Sequence, residues 1–361
     1  MSNVIISGIP GFYIYWGRSA TWKGGDPTSD EHMPFNPITE GFGITLPERI
    51  YELIPAVSDL YPLINVDKNL EPSTITIKTH FRDPFMLLCM FTYKALPSNW
   101  TGTSDNILAN FSNRDDITPN LWIQLRLPDP SGGSSHVDLL FDGGVITEYR
   151  LVGEEQHSVK EEIDIKFAEI SENTQAMDID DGLDDGEMDA TGIDGGWAWW
   201  NRTLFATKNS VLLTKDITIS GVSVVGLQVQ SWQLTLPLPK AMEFVASSMV
   251  AGITYEEVRG PWLLELSGKL SGNTNISEAI AELADKTKYT AKIAYDIAPL
   301  EKYIQFTNAV LKNIDGISVP AAGEPIDVTY VYEGAGSSVL TYSWTGTQAV
   351  DPSAYIDHTD V

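Results

Sequence analysis

The chain contains one cysteine, Cys89, in 361 residues, so no disulfide can form within it. Its place in an apolar run predicts a buried thiol without redox chemistry. Bases are scarce as well: 23 Lys and Arg stand against 49 Asp and Glu, a formal charge of −26. That balance disfavours affinity for nucleic-acid phosphates and for anionic membrane surfaces. The five histidines, at positions 32, 80, 136, 157 and 358, include no His-Glu-x-x-His and no pair at helical ligand spacing. No Gly-x-Ser-x-Gly elbow occurs, and Gly41-Phe42-Gly43 lacks the third glycine, the preceding strand and the lysine-serine or lysine-threonine pair of a phosphate loop. Paired carboxylates suited to glycoside hydrolysis exist in any acidic protein, and sequence spacing does not give their separation in space. The N-terminal MSNVIISGIPGFYIYW has no basic n-region or adequate apolar core, and no later run reaches membrane-span length, so the expected site of synthesis and retention is the cytoplasm. With these motifs missing, the expectation is a protein that is not an enzyme and carries no cofactor.

What is present is strand patterning. Hydrophobic residues make up 43% of the chain, enough to give two domains a core each. Trp262, Leu264, Leu266 and Leu270 alternate with Glu265, Ser267 and Lys269, the signature of a half-buried strand. A short helix is expected next, with Asn275 as N-cap, Glu278 reaching back to it, and Ile276, Ile280 and Leu283 as its apolar stripe. Further strands are expected at Tyr289 to Ile297, Tyr303 to Leu311 and Pro325 to Tyr332, with a turn at Asp315-Gly316.

The same order is legible earlier. Ile75, Ile77, Thr79 and Phe81 share a strand face, Asp83-Pro84 starts a helix over Phe85 to Lys94, and strands follow at Leu121 to Leu127, at Val145 to Leu151 and at the EIDIKF run, Glu162 to Phe167. The later unit closes with PIDVTY, Pro325 to Tyr330. Two short motifs ending the same order of elements point to an internal duplication. The expected division is 1–172 for an N-terminal arm and first domain, 173–194 for a linker, and 195–361 for a second domain and tail.

Several segments fall outside this pattern. Residues Met1 to Tyr61 hold Tyr13, Tyr15, Trp16 and Trp22 among glycines and prolines, which suggests an arm packed on a neighbouring subunit or on its own domain. Leu96 to Pro119 and Pro128 to Ser135 read as surface loops, and Asp142-Gly143-Gly144 as a tight hairpin turn. Glu154 to Asp194 carries 15 acids and two lysines, a net of −13, half the charge of the chain. Within it Asp178, Asp180, Asp181, Asp184 and Asp185 are weak calcium candidates, because Gly182 comes one place too early for an EF-hand and no closing glutamate follows; a solvated linker fits better. Trp197, Trp199 and Trp200 beside these acids form a candidate sugar platform, although packing or a subunit contact accounts for them more simply. The run Val222 to Leu238, with Gln228, Gln230, Trp232 and Gln233, resembles a strand that extends beyond one compact sheet.

Taken with the aromatic-glycine stretch Tyr15-Trp16-Gly17-Arg18-Ser19-Ala20-Thr21-Trp22 and the long run Val222 to Leu238 leading to Trp262 to Leu270, the order of elements resembles the tail tube proteins of long-tailed bacterial and archaeal viruses, in a form with a duplicated tube domain. The resemblance covers nearly the whole chain and rests on architecture. It implies a mainly β fold of two tandem sandwich or barrel domains, each with a short helix, joined by the acidic linker. It also implies a virion protein, assembled in the host cytoplasm, whose rings stack into a tube. The tube would surround a tape-measure protein, meet terminator and distal tail proteins, and pass double-stranded DNA without binding it tightly. Rings of three chains would supply six domains. Trp16, Trp22, Trp199, Gln228, Gln230 and Trp232 are the assembly candidates. The rival readings are a carbohydrate-binding or carbohydrate-active β-sandwich using Trp197 to Trp200, and another viral structural β-sandwich.

Overall fold

The computed structural model describes residues 13–19, 22–25, 32–34, 43–46, 49–54, 64–70, 72–81, 106–109, 120–128, 136–172, 214, 217–222, 227–237, 240–244, 251–256, 261–270, 273–297, 300–315, 325–334 and 340–344. The fold is mainly β. A first set of strands comprises β1 (Tyr13–Ser19), β2 (His32–Pro34), β3 (Gly43–Thr45), β4 (Arg49–Ile54), β5 (Ile64–Leu70), β6 (Ser73–His80), β7 (Asn106–Ala109), β8 (Asn120–Pro128), β9 (His136–Glu154) and β10 (Lys160–Glu172). A second set comprises β11 (Ile217–Ser220), β12 (Leu227–Pro237), β13 (Lys240–Phe244), β14 (Ala251–Glu256), β15 (Trp262–Leu270), β16 (Tyr289–Ile297), β17 (Leu300–Asp315), β18 (Ile326–Gly334) and β19 (Leu340–Trp344). Among the described residues one helix, α1 (Asn273–Asp285), is present, and it follows β15. Fifteen strands form a single antiparallel sheet with a central path β11-β16-β17-β18-β15-β12-β9-β10-β6-β3, and β4-β5 and β13-β14 are separate hairpins.

The two sets pair their strands in the same way. β6-β10-β9-β8 in the first set matches β15-β18-β17-β16 in the second, and β3, on the outer edge of β6, matches β12 on β15. Each of β3 and β12 is followed by a two-stranded hairpin, and β1 lies on β8 as β11 lies on β16. Irregularities coincide too. Between β9 and β10 the ladder passes over Thr147, and between β17 and β18 it passes over Lys312, at the same distance from Gly144 and Ala309. The ladders of β8 with β9 and of β16 with β17 both slip at their first residues, Leu121/Ile123 and Tyr289/Ala291. One residue before Gly144 and Ala309 stand Gly143, at φ 66°, and Asn308, at φ 59°. Glycine and asparagine are the residues that tolerate this left-handed region best.

Burial follows the two-residue period of a strand. β6 and β15 alternate between buried and half-buried positions, and the buried face carries Ile75, Ile77, Leu264 and Leu266 together with Leu151, Ile163, Leu234, Tyr330 and Tyr332 in one continuous core. Thr76, Lys78, Arg150, Asp164, Glu265 and Asp327 lie on the other, polar, face.

Several expectations are corrected. Asp142-Gly143-Gly144 is a kink inside one 19-residue strand, not a hairpin turn. The Asp142 carboxylate accepts hydrogen bonds from Asn120 Nδ2 at 2.9 Å, the Gly143 N–H at 2.8 Å and the Gly25 N–H at 3.2 Å, so the kink is held while the ladder continues. EIDIKF and PIDVTY do not share a slot: Ile163 pairs with Ile77 and its counterpart Tyr330 pairs with Leu266, four residues from the position the motifs suggest. The helix starts at Asn273, which leaves Asn275 inside the first turn. Ala279 is its buried contact, and Ile280 is 55% exposed, because Ala279 and Leu283, four apart, are the pair turned to the sheet. Leu96 to Pro119, read as a loop, contains β7, which pairs with β19. Part of the supposed arm is β1, an integral strand on β8. The expected helix Phe85 to Lys94 lies outside the described residues.

Candidate assembly site

The two sets of strands meet along one ladder. β12 pairs with the second half of β9 from Ser231↔Glu154 to Pro237↔Glu148, while its other edge pairs with β15. β8 occupies the same edge of β9 only as far as Gly144, so the second half of β9 leaves a free row of backbone donors and acceptors that β12 fills. On the core face Trp232, Leu234 and Leu236 meet Gly153, Leu151 and Tyr149, all buried. Gly153 is required by this contact, because a Cβ there would overlap the Trp232 indole. On the polar face Gln233 and Thr235 stand opposite Val152 and Arg150.

Charges flank the junction. The Arg150 guanidinium contacts Glu148 at 3.1 Å and Glu162 and Asp164 at 3.2 Å, and Asp164 also accepts from the Thr76 hydroxyl at 2.7 Å. Each such pair is partly solvated and worth at most about 1 kcal/mol, so the network orders the polar face more than it stabilises it. Beneath the junction, the fully buried Glu161 carboxylate accepts from Tyr149 Oη at 2.5 Å and Thr79 Oγ1 at 3.0 Å. This buried acid is partnered, as it must be to lie in a core.

Among the described residues the sheet has an unpaired strand edge on either side of this junction. β16 leaves the edge of β17 at Ala309, so among the described residues Leu311 to Asp315 have a strand neighbour, β18, on one side alone. β3, among the described residues, pairs with β6 alone. Leu46, the residue after β3, is 64% exposed.

The residues singled out from sequence are distributed unevenly around this geometry. Trp232 is buried at the junction and Trp16 is buried in the core of its own chain, so neither indole is displayed to a partner. Trp22 is half-buried beside Lys23, whose ammonium lies 5.2 Å from the ring centroid. Gln228 is exposed on β12, and Gln230 donates to Glu155 Oε2 at 3.1 Å. Trp197, Trp199, Trp200 and the acidic candidates Asp178, Asp180, Asp181, Asp184 and Asp185 lie outside the described residues. Among the described residues no three His, Cys, Asp or Glu side chains are placed to hold a metal ion, and no helix is long and apolar enough to cross a membrane. Tyr149, Gly153, Glu161 and Leu46 escaped the sequence reading. One signal for the junction was present: Thr45-Leu46-Pro47 and Thr235-Leu236-Pro237 are identical tripeptides. Comparison of the chain with known protein families and with curated protein sequences finds no match to either.

Proposed function

We propose that this protein is a structural subunit of a viral tail tube, whose copies join edge to edge into rings that stack as a conduit for double-stranded DNA. The observation that carries the reading is the β9–β12 ladder, by which one set of strands continues into the next as a single sheet whose outer edges are unpaired among the described residues. An exposed strand edge is a hazard that proteins cover, and closing a sheet on itself is the arrangement that removes edges altogether. A chain supplying two matched sets fits a wall built from several chains.

In this reading the two sets are tandem tube domains that arose by duplication, and three chains make a ring with pseudo-sixfold symmetry. On the polar face of the sheet the Arg150 guanidinium is already engaged by Glu148, Glu162 and Asp164, which leaves that cation unavailable to DNA phosphates. The tape-measure, terminator and distal tail proteins are the partners this role calls for. Negative-stain microscopy of the purified protein tests it: rings or tubes are expected, and a protein that stays monomeric at milligram-per-millilitre concentration, with no ring in the images, overturns it.

A further inference from the structure

We infer that β3 of one copy adds antiparallel to β17 of a second copy, with Thr45 opposite Asp315 and Leu46 opposite Ile314. The inference deepens the assembly reading and rests on it in one respect, that copies associate through sheet edges. The register comes from the ladder inside the chain. Gly144 and Ala309 occupy matching positions, fixed by the slip at Leu121/Ile123 on one side and Tyr289/Ala291 on the other. Gly144 pairs with Phe167 and Ala309 with Gly334, which in turn pair with Ser73 and Trp262. Thr74 therefore matches Leu263, and their outer neighbours Thr45 and Thr235 match. Along β9 and β17 the skipped residues Thr147 and Lys312 keep the count equal, so Tyr149 matches Ile314 and Arg150 matches Asp315. Within the chain Thr235 faces Arg150 and Leu236 faces Tyr149. Transferred to the open edges, these two pairs become Thr45 with Asp315 and Leu46 with Ile314.

Three independent features agree with that transfer. Thr45-Leu46 repeats the residues Thr235-Leu236. Leu236 is 4% exposed in the junction, whereas Leu46 is 64% exposed, the most exposed large hydrophobic among the described residues. Faces also match: Ile314 packs against the core as Tyr149 does, and exposed Asp315 lies on the side of Arg150. The occupant is a second copy because the path from β17 to β3 crosses seven strand spacings, roughly 34 Å of sheet at about 4.8 Å each. The contact is head-to-tail, which closes into a ring or propagates as a filament according to the rotation it imposes.

The test pairs cysteines across the predicted contact, with natural Cys89 left in place and cross-links located by mass spectrometry. Thr45→Cys and Asp315→Cys, made in separate chains and mixed, are expected to yield a covalent dimer on oxidation. Thr45→Cys mixed with Asn313→Cys is two residues out of register, beyond the usual Cα separation of about 4.4–6.8 Å for a disulfide, and should not cross-link. Leu46→Asp should lower the number of assembled particles at least tenfold while leaving the melting temperature of the monomer unchanged, since Leu46 is exposed in it. Rings that form without a 45–315 cross-link, or that form normally from Leu46→Asp, overturn the inference and leave the tube reading standing. A parent protein that never assembles overturns both.

Discussion

Trp232 and Gly153 face each other across the ladder that joins the two sets of strands, and the glycine leaves the space that the indole fills. The same relationship recurs between Trp262 and Gly334 on neighbouring strands β15 and β18. In both, a large ring covers a strand glycine, so its own burial compensates for the packing the glycine lacks. Gly153→Val should therefore destabilise the protein by about 1–3 kcal/mol through overpacking against Trp232, read as a lower urea midpoint with an unchanged slope. An unaltered midpoint would show that the indole moves aside freely.

Leu236 and Leu46 offer a contrast between a filled edge and an open one. Leu236→Ala removes a side chain that is 4% exposed and should cost about 2–5 kcal/mol. Leu46→Ala, at 64% exposure, should change monomer stability by no more than about 0.5 kcal/mol. Chemical denaturation of both variants below the assembly concentration checks the pair; equal losses would mean that the two edges are not in different states.

Tyr149→Phe deletes a hydrogen-bond donor to the buried Glu161 carboxylate and leaves the Thr79 hydroxyl in place. A hydrogen bond to a charged group is worth about 1.5–3 kcal/mol, and the loss should fall in that range. Making Glu161→Gln in the Tyr149→Phe background should recover part of it, because a neutral amide tolerates the missing donor better than a carboxylate does. A double variant no better than the single one would argue against this account.

Alkaline pH should unfold the protein through Tyr330 and Tyr332. Both are buried, and burial first, with the nearby Glu282 carboxylate second, raises both hydroxyls above the ordinary value of 10.0. In the unfolded chain these tyrosines lose protons near that ordinary value while the folded chain still holds them. Stability is thus complete below about pH 10 and falls as pH rises beyond it. Urea midpoints measured from about pH 8 to 11.5 should drop at the alkaline end, and Tyr332→Phe should flatten the drop.

Three chains per ring is the stoichiometry expected of two matched sets in each chain. Cryo-microscopy with the chains counted should show three, with both sets contributing strands to the wall. Six chains, each with one set in the wall and the other outside it, would falsify the pseudo-sixfold arrangement.

The strand class of the protein, and the buried face of β6 and β15, follow from residue order alone, because alternation along a strand has a period of two and needs no knowledge of the neighbour. Ile75 and Ile77, Leu264 and Leu266 announce their own burial. Register is another matter. EIDIKF and PIDVTY differ by four residues from the correspondence set by the ladders, and an even shift keeps each side chain on the same face, so the hydrophobic pattern cannot detect it. The skipped residues Thr147 and Lys312 and the left-handed Gly143 and Asn308 break that degeneracy, and they are visible only once strands are paired. The β9–β12 junction is likewise beyond local reading, since it joins residues some eighty positions apart through backbone groups that every sequence possesses. Residue order decided which faces are apolar; the hydrogen-bonded ladders, being non-local and nearly blind to side-chain identity, decided which edge meets which.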